Sequence, residues 1–157
     1  MTVSPSVCLA RLKSDFEAAF VTSAGGDGSA NTVYGHRTNP GGKTRVGISL
    51  AYDGRSPAGG GSSTNGAWPV YKIIAMVGVT MDSNESGRIS ETELAAADAA
   101  LIAIEEAIYA QLGKGGDSYE NEYWMKVQFV EESQLPPLFS NMPTVRYGFI
   151  PFRLIMR

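Results

Sequence analysis

The stretch Asp82-Ser83-Asn84-Glu85-Ser86-Gly87-Arg88-Ile89-Ser90-Glu91-Thr92-Glu93 carries the one arrangement in this chain whose residue types and spacing suit a metal ion. It follows the twelve-residue calcium loop of EF-hands. Asp82, Asn84 and Ser86 hold positions 1, 3 and 5, and Gly87 supplies the sharp turn at position 6. Arg88 would ligate through its carbonyl, Ser90 through a water, and Glu93 would close the shell with two oxygens. Ile89 takes the apolar eighth position. Asp82 and Glu93 are the only formal ligand charges, so such a site would bind calcium weakly, with a Kd of the order of 10⁻⁴ to 10⁻³ M. A second reading uses the same residues. A strand-to-helix turn needs polar residues and a glycine, and Ser90 with Glu93 has the serine-x-x-glutamate spacing of a helix-capping box. Both readings stand on the sequence alone.

The other reactive residue types stand apart. His36 is the single histidine and lies in a turn-rich stretch without a serine or cysteine nucleophile beside it. It is expected at the surface. Cys8, the single cysteine, falls in a helical pattern and is expected to be packed. Gly42-Lys43-Thr44 has the ending of a phosphate loop, but that motif needs a glycine five positions before Gly42, where Arg37 stands. Asn84-Glu85-Ser86 is a glycosylation triplet without a secretory signal. No catalytic set emerges, and the expectation is a protein that is not an enzyme.

Two elements must hold the 82–93 turn. Before it runs Pro69 to Met81, rich in β-branched residues and with Lys72 as its one charge, which reads as a long strand with at least one covered face. After it, Glu91 to about Leu112 reads as a helix, with Leu94, Ala97, Leu101, Ile104, Ile108 and Leu112 on one stripe. Gly113, Gly115 and Gly116 should stop it. A helix laid on a sheet is the expected core.

The remaining chain supplies the rest of that sheet. Residues 5 to 21 read as a first amphipathic helix, through Leu9, Leu12, Phe16 and Phe20. Thr32-Val33-Tyr34 and Arg45 to Tyr52 read as strands joined by a turn at Asn39-Pro40-Gly41-Gly42, and so as a hairpin. Tyr119 to Val130 and Thr144 to Arg157 read as two further strands. Pro151, lacking an N–H, should sit at a sheet edge or beside a bulge. The Gly/Ser-rich residues 53–67 offer almost nothing to bury and read as a flexible loop, either idle or ordered by a partner. The expected fold is one α+β domain over residues 1–157, a mixed or antiparallel sheet of four to five strands with two helices packed on it and long surface loops.

Bulk properties narrow the class. The chain has 157 residues, enough for a core without disulfide staples, and only 18% are charged. Its net charge of −3 argues against binding nucleic acid through phosphates. One cysteine excludes an internal disulfide and suits a reducing compartment. The first twenty residues lack the basic start and apolar run of a signal peptide, and no apolar stretch spans a bilayer. A soluble intracellular domain without membrane contact is the expectation.

The opening helix, the Val33-Tyr34 strand before a glycine-rich turn, the Tyr71 to Met81 strand, the Leu94 to Leu112 helix and the arginine-aromatic last strand together resemble tail terminator proteins of long-tailed bacteriophages. The resemblance covers nearly the whole chain in order and type of element. It implies a virion structural protein, assembled in the host cytoplasm, that forms a hexameric ring. Such a ring caps the tail tube, meets the tail tube protein below and a head-side connector protein above, and lets DNA pass through its channel without specific binding. No cofactor is implied. Other phage neck or tail components, a calcium-binding module built on the 82–93 loop, and a small enzyme are the competing classes.

Overall fold

Val70–Thr80, here β3, is the central strand of a five-stranded sheet. Nine of its eleven residues are buried, which fits a run of valine, isoleucine and methionine interrupted only by Lys72 and closed by Thr80. The computed structural model describes residues 3–20, 32–42, 44–56, 69–113, 120–130 and 144–157. Within them the order is α1 (Pro5–Phe20), β1 (Thr32–Tyr34), β2 (Val46–Ser56), β3, α2 (Glu91–Leu112), β4 (Trp124–Phe129) and β5 (Val145–Met156). Across the sheet the strands run β1-β2-β3-β5-β4. The architecture is α+β with a mixed sheet, as the sequence predicts.

Both helices lie on one face. α1 inserts Cys8, Leu12, Phe16 and Phe20 against β1 and β2, and α2 inserts Ala97, Ile104, Ile108 and Leu112 against β3 and β5. Their common floor is the inward residues of the strands, among them Ile48, Leu50, Ile73, Val77, Phe152 and Leu154. Trp124 and Tyr71, both almost wholly buried, close this core near the start of β3. The opposite face carries a smaller cluster of Ala51, Ile74 and Met76 with Phe149 against it.

Three expectations are corrected. β1 and β2 are not a hairpin: they run parallel, with Val33 opposite Ile48. The Asn39-Pro40-Gly41-Gly42 segment does not reverse the chain between adjacent strands. It lies flat across the face that the helices leave open, directly over Gly47 and Gly78, and a Cβ on either glycine would strike the backbone of Pro40 or Gly41. Side chains fasten it there. Ser49, fully buried, donates to the His36 carbonyl at 2.7 Å and accepts from the Thr38 N–H at 3.1 Å. Thr80 Oγ1 accepts from the Gly42 N–H at 2.9 Å, and the Tyr147 hydroxyl bonds Asn39 Oδ1 at 2.9 Å. The loop thus crosses the sheet and lets β1 return in the direction of β2.

The second correction concerns residues 53–67. The first four extend β2, whose register shifts between Tyr52 and Arg55 around Gly54 at φ 113°. Arg55, itself exposed, donates to the Tyr71 hydroxyl at 3.1 Å with its guanidinium 5.0 Å from the ring centroid. It is therefore engaged with its own chain. Residues 57–67 lie outside the described residues.

Pro151 is the third. β5 lies between β3 and β4, and Pro151 faces Ile74 in unbroken register. Yet β4 accompanies β5 only from Phe152 to Met156, and beyond that its next residue, Val130, donates to the Pro151 carbonyl at 3.3 Å. Among the described residues, the missing N–H therefore falls where strand pairing on that side ends, and edge-like behaviour holds locally inside an interior strand.

Candidate functional site

The 82–93 turn begins where β3 leaves the sheet and ends in the first turn of α2. Gly87 takes φ 78°, a conformation in which an L side chain would be strained, so the glycine is required by the backbone itself. Asn84 organises the turn. Its Oδ1 accepts from the Ser86 N–H at 3.1 Å, the Ser86 hydroxyl at 2.8 Å and the Arg88 N–H at 2.8 Å. Backbone bonds from Asn84 N–H to the Arg88 carbonyl (2.7 Å) and from Gly87 N–H to the Asn84 carbonyl (2.9 Å) close it. These are the local side-chain-to-backbone bonds that asparagine favours in turns.

Ser90 caps α2, its hydroxyl accepting from the Glu93 N–H at 3.1 Å. The reciprocal half of the expected box does not form. The Glu93 carboxylate reaches instead to Arg45, just before β2, whose guanidinium also donates to the Thr80 carbonyl at 2.6 Å. Arg45 and Glu93 are both about one-fifth exposed, so the pair is largely sheltered and ties the N-terminus of α2 to the sheet. Glu91 and Glu93 in this first turn also complement the positive end of the helix.

The proposed calcium ligands therefore share one turn but are not gathered around one point. Asp82, Asn84, Ser86 and Arg88 are exposed on the turn, the Asn84 oxygen already accepts three hydrogen bonds, and Glu93 is turned away to Arg45. Among the described residues no group of three or more histidine, cysteine or acidic side chains is disposed to hold a metal. For calcium to bind as the spacing suggests, Glu93 must leave Arg45, and Asn84 must trade its turn bonds for the ion.

His36 is exposed, with its ring 5.9 Å from that of Tyr34. Cys8 is fully buried, and burial pushes its thiol up to about 11, which keeps it protonated and unreactive at neutral pH. No helix of the described residues is long and apolar enough to cross a membrane.

No family model, curated protein or solved structure matches this chain. The feature that sequence reasoning missed is on the outer side of α2. Asp98, Glu105 and Glu106, off the inward stripe, suggest a solvated side, yet Ala95, Ala99, Ile102, Ala103, Tyr109 and Ala110 are also exposed there. Ile102 is 56% and Tyr109 45% exposed, and Tyr109 packs at 4.8 Å on the ring of Phe129, itself 39% exposed. The alanine-rich composition of residues 95–110 was the available signal. Glu106 is exposed among these residues and Asp98 beside them, so the face is mixed, with Ile102 and Tyr109 as its large apolar side chains.

Proposed function

We propose that this chain is a ring-forming structural subunit of a virion, a tail terminator that caps the tail tube and joins it to the head-side connector. The observation that carries the reading is the exposure of Ile102 and Tyr109 on the outward side of α2, with Phe129 against Tyr109, large apolar side chains that a monomer leaves in water and a neighbouring subunit would bury. The order of elements on which the resemblance rests, helix, strands, long strand, long helix and a closing arginine-aromatic strand, agrees with it. The low charge content and the negative net charge suit a channel through which DNA slides without adhering.

The decisive measurement is the mass of the purified chain in solution, followed by complementation of a phage lacking its own terminator. A closed ring, six copies by the resemblance, is expected from the wild type. Ile102→Lys, at an exposed position, should leave the fold intact while lowering the mass to that of a monomer and abolishing tailed particles. A wild-type monomer at micromolar concentration, or full complementation by Ile102→Lys, overturns the assignment. The second reading, a calcium-binding module, is favoured by the left-handed Gly87 and the exposed Asp82. It predicts instead a monomer that takes up calcium.

A further inference from the structure

On the sheet face opposite the helices, near the start of β3, three cations share one end of the sheet; Asp53, in the β2 bulge across from Lys72, is the acid beside them, and it forms no ion pair with Lys72. Lys72 of β3 and Arg153 of β5 are direct cross-strand partners, and Arg153 is in turn opposite Gln128 of β4. Lys126 lies two residues before Gln128, opposite Ile155, and so on the same face one row away. None of the three makes an ion pair among the described residues; Arg37, Arg55 and Arg88 share that condition, while Arg11, Lys13, Arg45, Arg146 and Arg157 are paired. Like charges placed directly across a ladder repel. Arg153 adds a second anomaly, because its Nε is buried and has no hydrogen-bond partner. A buried charged donor left unsatisfied is costly. A carboxylate placed over this row would offset the repulsion among the three cations.

The chain itself carries a fitting set of anions that its own fold keeps away. Asp82, Glu85 and Glu91, at the far end of β3, are exposed and form no ion pair among the described residues, and Arg88 is the only cation between them. Ten residues of extended strand separate Lys72 from Asp82, roughly 30 Å at about 3.3 Å per residue, so the two sets do not meet within one subunit. They meet only between subunits, with the basic end of one against the acidic turn of the next. Such a contact is head-to-tail, and a head-to-tail contact closes into a ring when its rotation permits.

We infer that Lys72, Lys126 and Arg153 form a carboxylate-binding site whose occupant is the 82–91 turn of a second copy of this chain. The inference rests on the ring reading above and gives it an electrostatic contact. Nucleic acid is the less favoured occupant, because three cations on an acidic protein attract a phosphate backbone weakly.

The test is charge reversal at each end and at both. Lys72→Glu with Lys126→Glu should weaken assembly by about tenfold or more, and so should Asp82→Lys with Glu85→Lys. Lys126, Asp82 and Glu85 are exposed, so a retained circular dichroism spectrum and melting transition are expected. All four changes in one chain restore opposite charges across every contact and should restore the ring. Assembly should also fall as salt rises from about 0.01 to about 1 M, over which the Debye length shrinks from about 30 to about 3 Å. A wild-type monomer fails the ring reading and this one together. An assembled wild type whose mass no reversal alters, or a fourfold variant that stays dissociated where each pair alone dissociates, overturns the site while leaving the ring. Binding of duplex DNA that Lys72→Glu/Lys126→Glu abolishes without changing the mass would also overturn it, assigning the row to phosphates.

Discussion

The Arg45 guanidinium and the Glu93 carboxylate form a sheltered pair that fastens the first turn of α2 to the edge of β2. Because Arg45 also holds the Thr80 carbonyl at 2.6 Å, one side chain joins the end of β3, the entry to β2 and the start of the helix. The pair also decides how the neighbouring turn meets cations. Titration of the wild type with calcium to millimolar concentration is expected to give no saturable heat, since Glu93 is committed to Arg45 and Asn84 to its turn. Saturable heat that Asp82→Ala and Glu93→Gln each remove would establish the EF-hand reading instead.

Breaking the pair tests its structural role. Arg45→Ala should cost about 1–3 kcal/mol, because it leaves a sheltered carboxylate and the Thr80 carbonyl without their donor. Denaturant unfolding reads this directly, and a change below about 0.5 kcal/mol would show that water replaces the guanidinium at no loss.

Packing of α2 has its own signature. Ile104, only 7% exposed, should cost about 2–5 kcal/mol on truncation to alanine, whereas the half-buried Leu101 should cost about 1–3 kcal/mol. Equal small losses at both positions would mean that the helix does not pack on the sheet as described.

Gly148 of β5 lies beneath Glu105 of α2, so that a methyl at 148 would meet the Glu105 carboxylate and stand 3.0 Å from Leu101 Cδ1. Gly148→Ala should destabilise by about 1–3 kcal/mol, and the loss should be smaller when Glu105→Ala is also present. Burial also raises the Glu105 carboxyl above its ordinary range. Its neutral form is then favoured in the folded state, so its contribution is present at low pH and lost as pH rises through the folded value. Glu105→Gln is accordingly expected to stabilise the protein at pH 7 and to have no such effect in acid. Stability measured at both pH values separates this from a simple packing change.

Cys8 sets the alkaline limit. Its thiol is raised from 9.0 to about 11 by burial, so the folded state holds a proton that the unfolded chain gives up. The Cys8 contribution is unchanged below pH 9 and should be lost between pH 9 and 11, by roughly 2–3 kcal/mol at most. Cys8→Ala should flatten that decline. In the native protein a thiol reagent should react only at the rate of unfolding.

Element types and the helix core were legible because their periodicity is local. Leu12, Phe16 and Phe20 on α1, and Ala97, Ile104 and Ile108 on α2, sit where their spacing places them. The direction of β1 was not, because a turn-rich sequence such as Asn39-Pro40-Gly41-Gly42 has the same composition whether it joins a hairpin or crosses a sheet. The clue lay elsewhere, in Gly47 and Gly78, bare positions in otherwise bulky strands that a passing backbone requires. The cation row was hidden for the same reason. Lys72, Lys126 and Arg153 are far apart along the chain, and only the β3-β5-β4 order makes them neighbours. Of the candidate metal site, the turn and its glycine were readable, but the diversion of Glu93 to Arg45 depends on a contact across the fold.

The position of β3 has a kinetic meaning as well. Its longest unbroken pairing is with β5, between residues 70–80 and residues 145–155, with α2 and β4 intervening in the chain. The ribosome therefore finishes β3 and its apolar surface well before β5 exists to cover one flank. Pairings so distant in sequence slow the search for the native state. During that interval the nascent β2–β3 hairpin presents an open, sticky edge. Refolding at low protein concentration should be single-exponential and slow, with aggregation competing as concentration rises, and a chain truncated before Val145 should not reach the native state at all.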